Sequence, residues 1–81
     1  MQITVYSNPN CVQCEQTKKW LERNSIRFES KMIEDSPEVQ DIIAEHKFQS
    51  APVVVAGEHF WSGFRLDHLK DIQHKIASEE R

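Results

Sequence analysis

The stretch Q-I-T-V-Y-S-N-P-N-C-V-Q-C-E-Q-T, residues 2–17, decides the fold. Residues 2–6 alternate polar and apolar side chains and are rich in β-branched residues, a pattern typical of a strand. Residues 7–10 are serine, asparagine, proline and asparagine, a composition that favours a loop. From Cys11 onward the spacing becomes helical. The residues on one face of this helix are Cys14, Thr17, Leu21 and Asn24, with Trp20 beside them.

A second strand and a second helix are predicted next along the chain. Residues 26–30 alternate again and indicate a strand. Residues 35–38, Asp-Ser-Pro-Glu, combine a capping side chain with a proline that suits a first helical turn. An amphipathic stripe follows at helical spacing, formed by Val39, Ile42, Ile43 and His46.

The last part of the chain predicts a hairpin and a third helix. Residues 53–55 are three valines after Pro52, and they indicate a short buried strand. Gly57 and Glu58 form a tight turn into a pairing strand at residues 59–61. The apolar face of the last helix consists of Leu66, Leu69, Ile72 and Ile76.

These elements follow one another in the order β-α-β-α-β-β-α. The helix between the first two strands makes those strands parallel, whereas the two-residue turn makes the last two antiparallel. We therefore predict an α/β fold, a mixed four-stranded sheet with three helices. Residues 1–81 are expected to form a single domain, with 78–81 as a frayed tail.

Composition excludes several classes of function. The net charge of −3 gives no electrostatic reason to expect a nucleic acid partner. The longest apolar run, residues 51–56, is far shorter than the ~20 residues of a membrane span. Residues 1–5 lack the basic and apolar regions of a signal peptide. We expect a cytoplasmic protein with no membrane association.

That location changes the meaning of the two cysteines. Cys11 and Cys14 lie three positions apart, so a bridge between them closes too small a loop to tie distant segments together. Cysteine pairs in cytosolic proteins are more often catalytic or metal-binding. A C-x-x-C beside a βαβ unit predicts a thioredoxin-like redox motif.

The position of the pair at a helix start assigns the two roles. Free backbone N–H groups and the helix dipole point at the sulfur of Cys11 and favour its thiolate, the attacking species. Cys14 lies one turn along, on the core-facing stripe. Cys11 is therefore the predicted nucleophile and Cys14 the resolving cysteine. Val12 and Gln13 add no charge between them.

Metal binding is the rival interpretation. A structural zinc site needs four ligands, and the chain has a single cysteine pair. An iron–sulfur cluster shared between two chains through Cys11 is a further alternative. Electron transfer through the dithiol itself requires neither a metal nor another cofactor, and we expect none.

Three segments together resemble the NrdH-redoxins, glutaredoxin-like proteins with a thioredoxin fold. They are C-V-Q-C at residues 11–14, A-P-V-V at 51–54 and W-S-G-F-R at 61–65. The resemblance implies a monomeric electron donor to class Ib ribonucleotide reductase that is recharged by thioredoxin reductase rather than by glutathione. The family usually continues W-S-G-F-R-P with an acidic residue, whereas this chain has Leu66 and then Asp67.

The resemblance also implies roles for residues around the dithiol. Pro52 is expected to be cis, which leaves the backbone of Ala51 free to pair with an incoming peptide. Trp61 and Phe64 are either core residues or part of an exposed docking rim. The residues that we assign to partner binding are Val12, Gln13, Ala51, Pro52, Trp61 and Phe64. The expected loop-shaping residues are Ser62, Gly63 and Arg65, the last through hydrogen bonds to carbonyls if it is not simply solvated.

A glutathione-dependent glutaredoxin is the alternative within the same chemistry. Glutaredoxins tend to carry a Gly-Gly pair and an acidic residue after the hairpin, where they hold glutathione. This chain has Trp61, Ser62 and Gly63 there, and we expect the bulky indole to crowd such a site.

Overall fold

The computed structural model describes residues 1–79, and its four strands form one mixed sheet in the order β2-β1-β3-β4. The strands are β1 (Ile3–Ser7), β2 (Glu29–Met32), β3 (Val53–Ala56) and β4 (His59–Ser62). β1 pairs with β2 in parallel and with β3 in antiparallel fashion, and β3 pairs antiparallel with β4. The predicted element order and mixed sheet are thus confirmed.

Three helices cover the sheet. They are α1 (Val12–Arg23), α2 (Pro37–His46) and α3 (Leu66–Glu79). The sequence did not predict the short 3-10 helix at Ile33–Asp35 that precedes α2. Pro37 occupies the first turn of α2, where its missing N–H costs no hydrogen bond. Within residues 1–79, no helix combines the length and the apolar character that crossing a bilayer requires.

The helices divide between the two faces of the sheet because side chains alternate along each strand. Ile3 and Val5 of β1 belong to the larger core cluster together with residues of α1 and α3. Tyr6 points to the other face, where it packs in a smaller cluster with Val39 of α2 and with Val53. The dithiol helix α1 and the last helix α3 therefore share one side of the sheet.

The second strand lies further along the chain than predicted. We expected residues 26–30, but β2 spans Glu29–Met32, paired from Thr4↔Glu29 to Ser7↔Met32. Ile26 is buried and Phe28 half-buried, so both pack against the core from the segment before the strand. Because these two apolar side chains are two positions apart, the segment shows the alternation that we interpreted as a strand.

Three smaller expectations are wrong at helix surfaces and ends. Asn24 is exposed and caps the end of α1, donating from Nδ2 to the carbonyl of Trp20 at 2.8 Å, so it is not part of the buried face. His46 and Leu66, at the ends of their apolar stripes, are also exposed. The frayed tail is wrong for residues 78 and 79, because α3 continues to Glu79, whose carboxylate lies 3.1 Å from the ammonium of Met1. The other two residues of the expected tail, 80 and 81, lie outside the described part of the chain.

Candidate active site

Cys11 ends the loop after β1 and caps the N-terminus of α1. Its backbone is extended, with φ −109° and ψ 108°, and its sulfur accepts a hydrogen bond from the N–H of Cys14 at 3.1 Å. A cap side chain satisfies a backbone donor that no helical carbonyl can reach. Here that side chain is a sulfur, so the same N–H is in place to stabilise negative charge on it when the bond to Cys14 opens.

The two cysteines differ in exposure as predicted. Cys14 is 1% exposed, whereas Cys11 is only partly covered. Their Cα atoms are 5.2 Å apart and the two sulfurs are joined in a disulfide, so the structure represents the oxidised form. Only the sulfur of Cys11 is accessible to a second protein. It can therefore attack the disulfide of a target when it is reduced, and it can be attacked by a thiolate when it is oxidised.

Gln13 links the dithiol to the loop after β4. Its side-chain Oε1 accepts a hydrogen bond from the backbone N–H of Phe64 at 2.9 Å. Its own carbonyl accepts one from the hydroxyl of Thr17 at 2.8 Å, within the first turns of α1. We expected Gln13 to contact a partner, and the structure shows that its side chain binds the backbone of Phe64.

Gly63 connects this loop to Pro52. Its N–H donates to the carbonyl of Pro52 at 2.8 Å, and its φ is +83°, a conformation that only glycine adopts without strain. A Cβ at Gly63 would lie 3.1 Å from Oε1 of Gln13. A side chain there would therefore press on the atom that accepts the hydrogen bond from Phe64. Backbone hydrogen bonds and Gln13 thus join the dithiol, the proline and the loop into one site.

The peptide bond between Ala51 and Pro52 is cis, as expected. The ring of Pro52 is fully buried, so Pro52 shapes the site and does not touch a partner through its side chain, contrary to our assignment. Ala51 is half-buried, and the pairing of β3 with β1 and β4 begins only at Val53. Ala51 therefore lies just beyond the paired ladder.

The exposed docking role predicted for Trp61 is wrong. Trp61 is 3% exposed and packs in the core cluster that includes Ile3 and Leu69. Its indole stacks on the ring of His68, with centroids 5.0 Å apart and planes 9° from parallel. Register explains this burial: Trp61 lies opposite the buried Val54 in the β3–β4 hairpin, so both point to the same inner face.

Other residues of the predicted rim do reach the surface. Val12 is 71% exposed, Gln13 is exposed, and Ala51 and Phe64 are partly exposed. Ser62, which we predicted to shape the loop, is partly exposed as well. Phe64 also packs against the core. The exposed part of the predicted rim therefore comprises Val12, Gln13, Ala51 and Phe64, without Trp61.

Arg65 does not hold the loop through carbonyls. Its guanidinium binds the carboxylate of Asp67 in a bidentate pair, with Nη2–Oδ2 at 3.0 Å and Nε–Oδ1 at 3.3 Å. This pair is exposed, and the Arg65 hydrogen bond lowers the pKa of Asp67. α3 begins at Leu66, the position where the family resemblance would place a proline. The helix therefore starts here without that proline.

A metal site finds no support in residues 1–79, where no cluster of three or more histidine, cysteine or carboxylate side chains could hold an ion. His68 and His74 have a spacing that occurs in zinc sites, but His68 stacks on Trp61. This contact of His68 was not predicted from the sequence, because it joins residues of β4 and α3 that no local pattern relates.

A thioredoxin-type sheet with a disulfide at the start of the first helix, linked to a cis-proline, defines the class of thiol–disulfide oxidoreductases. Comparisons with known proteins agree. The family model described as Glutaredoxin matches residues 3–61.

Individual relatives narrow the class. The glutaredoxin-like protein NrdH of Salmonella typhimurium LT2 is 42% identical over 69 residues, which cover 85% of each chain. The glutaredoxin-like protein NrdH of Lactococcus lactis subsp. lactis IL1403 is 40% identical over 67 residues, 83% of this chain and 93% of that protein. The solved structure of NrdH-redoxin from Escherichia coli superposes with a TM-score of 0.77 at 38% identity, covering 88% of this chain and 93% of that one. The chain belongs to the glutaredoxin family and, within it, to the NrdH-redoxins.

Proposed function

We propose that this redox protein carries electrons from thioredoxin reductase to the disulfide of class Ib ribonucleotide reductase. The observation that supports this chemistry is the difference between the two cysteines. The accessible sulfur of Cys11 accepts a hydrogen bond from the backbone N–H of Cys14, whereas the side chain of Cys14 is buried. The choice of partners is supported by the NrdH relatives. The E. coli structure is described as explaining a thioredoxin-like activity profile for that protein.

The two cysteines deliver two electrons in two exchange steps. The Cys11 thiolate attacks a sulfur of the target disulfide, forming a mixed disulfide and releasing the other target sulfur as a thiolate, which takes up a proton. Cys14 then loses its proton and attacks the sulfur of Cys11. The mixed disulfide breaks, and the second target sulfur leaves as a thiolate that is protonated in turn. The target gains two electrons and two protons, and the Cys11–Cys14 disulfide is the oxidised product.

The rim around Cys11 favours a protein partner. Val12 and Phe64 offer apolar surface, and the backbone at Ala51 lies beyond the end of the paired ladder, where an extended segment can add to it. The indole of Trp61 is buried, so it does not crowd a glutathione site as we expected. We further propose a single-domain monomer that works in the cytoplasm, where reductases keep such a dithiol reduced.

An NADPH-oxidation assay tests this proposal. The oxidised protein is supplied with NADPH and either thioredoxin reductase or glutathione with glutathione reductase, and deoxyribonucleotide formation by a class Ib ribonucleotide reductase is followed in parallel. We expect turnover with thioredoxin reductase and none with Cys11→Ser. Turnover with glutathione alone would instead identify a glutathione-dependent glutaredoxin.

A further inference from the structure

A groove runs along α1 away from the dithiol. It has a volume of about 310 Å³ and lies between one face of the helix and the ring of Phe64. Its lining residues, which we call the α1 groove, are Gln16, Lys19, Trp20, Arg23 and Phe64. The four helical members have the spacing i, i+3, i+4 and i+7, so they form a single face of α1. Because Gln13 holds the N–H of Phe64 at 2.9 Å, the groove is tied to the dithiol at this end.

The charge of the α1 groove is opposite to that of the whole chain. Lys19 and Arg23 are its charged members, and no carboxylate lines it, although the chain has a net charge of −3. Neither cation forms an ion pair with another residue of the described range 1–79, and the same holds for Arg27, Lys47 and Lys70, whereas Lys18, Lys31, Arg65 and Lys75 are paired. Two cations without carboxylate partners thus flank two partly exposed aromatic rings.

We propose that the α1 groove binds acidic residues in the extended polypeptide segment that carries the disulfide of the partner protein. This inference rests on the proposed function, because it assumes that the partner presents its disulfide to Cys11. Carboxylates of the segment pair with Lys19 and Arg23, and an apolar side chain of the segment covers Trp20 and Phe64. A free inorganic anion would satisfy the cations but leave both aromatic rings in water.

The length of the groove predicts where the acidic residues stand in the partner. Lys19 and Arg23 follow Cys11 by eight and twelve positions, which is about 12 and 18 Å along a helix. An extended chain advances roughly 3.3 Å per residue. Carboxylates about four and six residues from the attacked cysteine therefore match the distances to the two cations, and side chains two positions apart point to the same side of an extended chain.

Matched disulfide peptides test the groove during turnover. One peptide carries two glutamates four and six residues from its attacked cysteine, on the N-terminal side in one version and on the C-terminal side in another. A third peptide has glutamine at the same places. With dithiothreitol as the electron source, we expect one of the acidic peptides to show a KM about three- to tenfold below that of the neutral peptide, with the same kcat, as suits two exposed ion pairs.

Charge variants locate the effect. Lys19→Gln combined with Arg23→Gln should remove the preference for the acidic peptide and leave kinetics with the neutral peptide unchanged. Arg27→Gln combined with Lys70→Gln is the control, because it removes the same charge from two other exposed positions. Equal loss of preference in both double variants would overturn the groove and point to net charge alone. Equal KM values for all three peptides would overturn it as well.

Binding without exchange separates the groove from the proposed function. An acidic peptide with serine in place of cysteine cannot react, so its binding is read from backbone amide and indole NMR shifts. We expect shifts at residues 19–23 and at the indole of Trp20. Shifts confined to residues 51–53 would overturn the groove even if disulfide reduction proceeds. Shifts at the groove in a protein that reduces no peptide disulfide would support the groove as a binding site and contradict the proposed function.

Discussion

At the scale of single residues, the exposure difference between Cys11 and Cys14 leads to different mutant phenotypes. Cys11→Ser should abolish disulfide reduction because the remaining thiol is 1% exposed. Cys14→Ser should still attack a target and then stall as a mixed disulfide. Mass spectrometry of the protein mixed with an oxidised target measures this adduct, and serine at both positions is the control. Adducts of equal yield from the two single variants would contradict the assignment.

The burial of the Trp61 side chain could not be predicted from the sequence. The motif W-S-G-F-R located a loop beside the dithiol correctly, but a motif does not reveal which strand face a residue occupies. That depends on register with Val54, a pairing between strands, and on His68 from a helix that follows. Cys11 and Cys14 were predictable because their environment is local to one helix start.

The burial of Trp61 turns its substitution into a stability experiment. Trp61→Ala should lower the free energy of unfolding by about 3–5 kcal/mol, since it empties a large core site and removes the stacking on His68. Urea unfolding measures the loss. Phe64→Ala, at a partly exposed position of the same loop, is the comparison and should cost less. A Trp61→Ala protein of unchanged stability would argue for an exposed docking role after all.

At the scale of secondary-structure elements, α1 was predicted well and β2 poorly. The buried face of α1 recurs at helical spacing within one segment, so Cys14, Thr17 and Leu21 could be identified from the sequence. β2 is an edge strand with little burial, and its position is set by pairing with β1 rather than by its own alternation. Prediction from pattern therefore failed where a partner strand determines the boundary.

A hydrogen bond between Tyr6 of β1 and Glu38 of α2 should make the stability of the protein depend on pH. The hydroxyl of Tyr6 donates a hydrogen bond to the carboxylate of Glu38 at 3.1 Å. Burial, as the larger cause, and the Glu38 carboxylate, as the smaller one, together raise the pKa of Tyr6 to about 12. Because the folded state holds the phenol proton more tightly than an unfolded chain, with a pKa near 10, stability should be full below about pH 10 and fall between about pH 10 and 12.

The titration can be read directly, since the chain has one tyrosine. Tyrosinate absorbance should rise near pH 12 in the folded protein and near pH 10 in urea. Glu38→Gln should move the folded midpoint down, and Glu34→Gln, an exposed carboxylate of the neighbouring 3-10 helix, should leave it unchanged. A folded midpoint near the ordinary value would show that Tyr6 is solvated and not bound to Glu38.

At the scale of the whole molecule, local patterns determined the order of elements but not the arrangement of the sheet. The neighbours β1–β2 and β3–β4 follow from a helical crossover and a two-residue turn, both local features. The central pairing of β1 with β3 joins segments some fifty residues apart, as in Val5↔Val54, and no sequence pattern marks it. This pairing brings the cis-proline to the same end of the sheet as the dithiol, so the assembled site could be expected only through the family resemblance.

The same architecture predicts that reduction leaves the fold intact. The two core clusters are formed by side chains from the sheet and all three helices, and Cys14 is one of many buried residues. The Cys11–Cys14 bridge spans three positions, and a loop this short restricts the unfolded chain by at most about 2 kcal/mol. Urea unfolding with and without dithiothreitol should therefore show a reduced protein that is folded and slightly less stable, as an electron carrier that alternates between both states requires. A Cys11→Ser, Cys14→Ser double variant should match the reduced protein, and a reduced form that is unfolded in buffer would mean that the bridge holds the domain together.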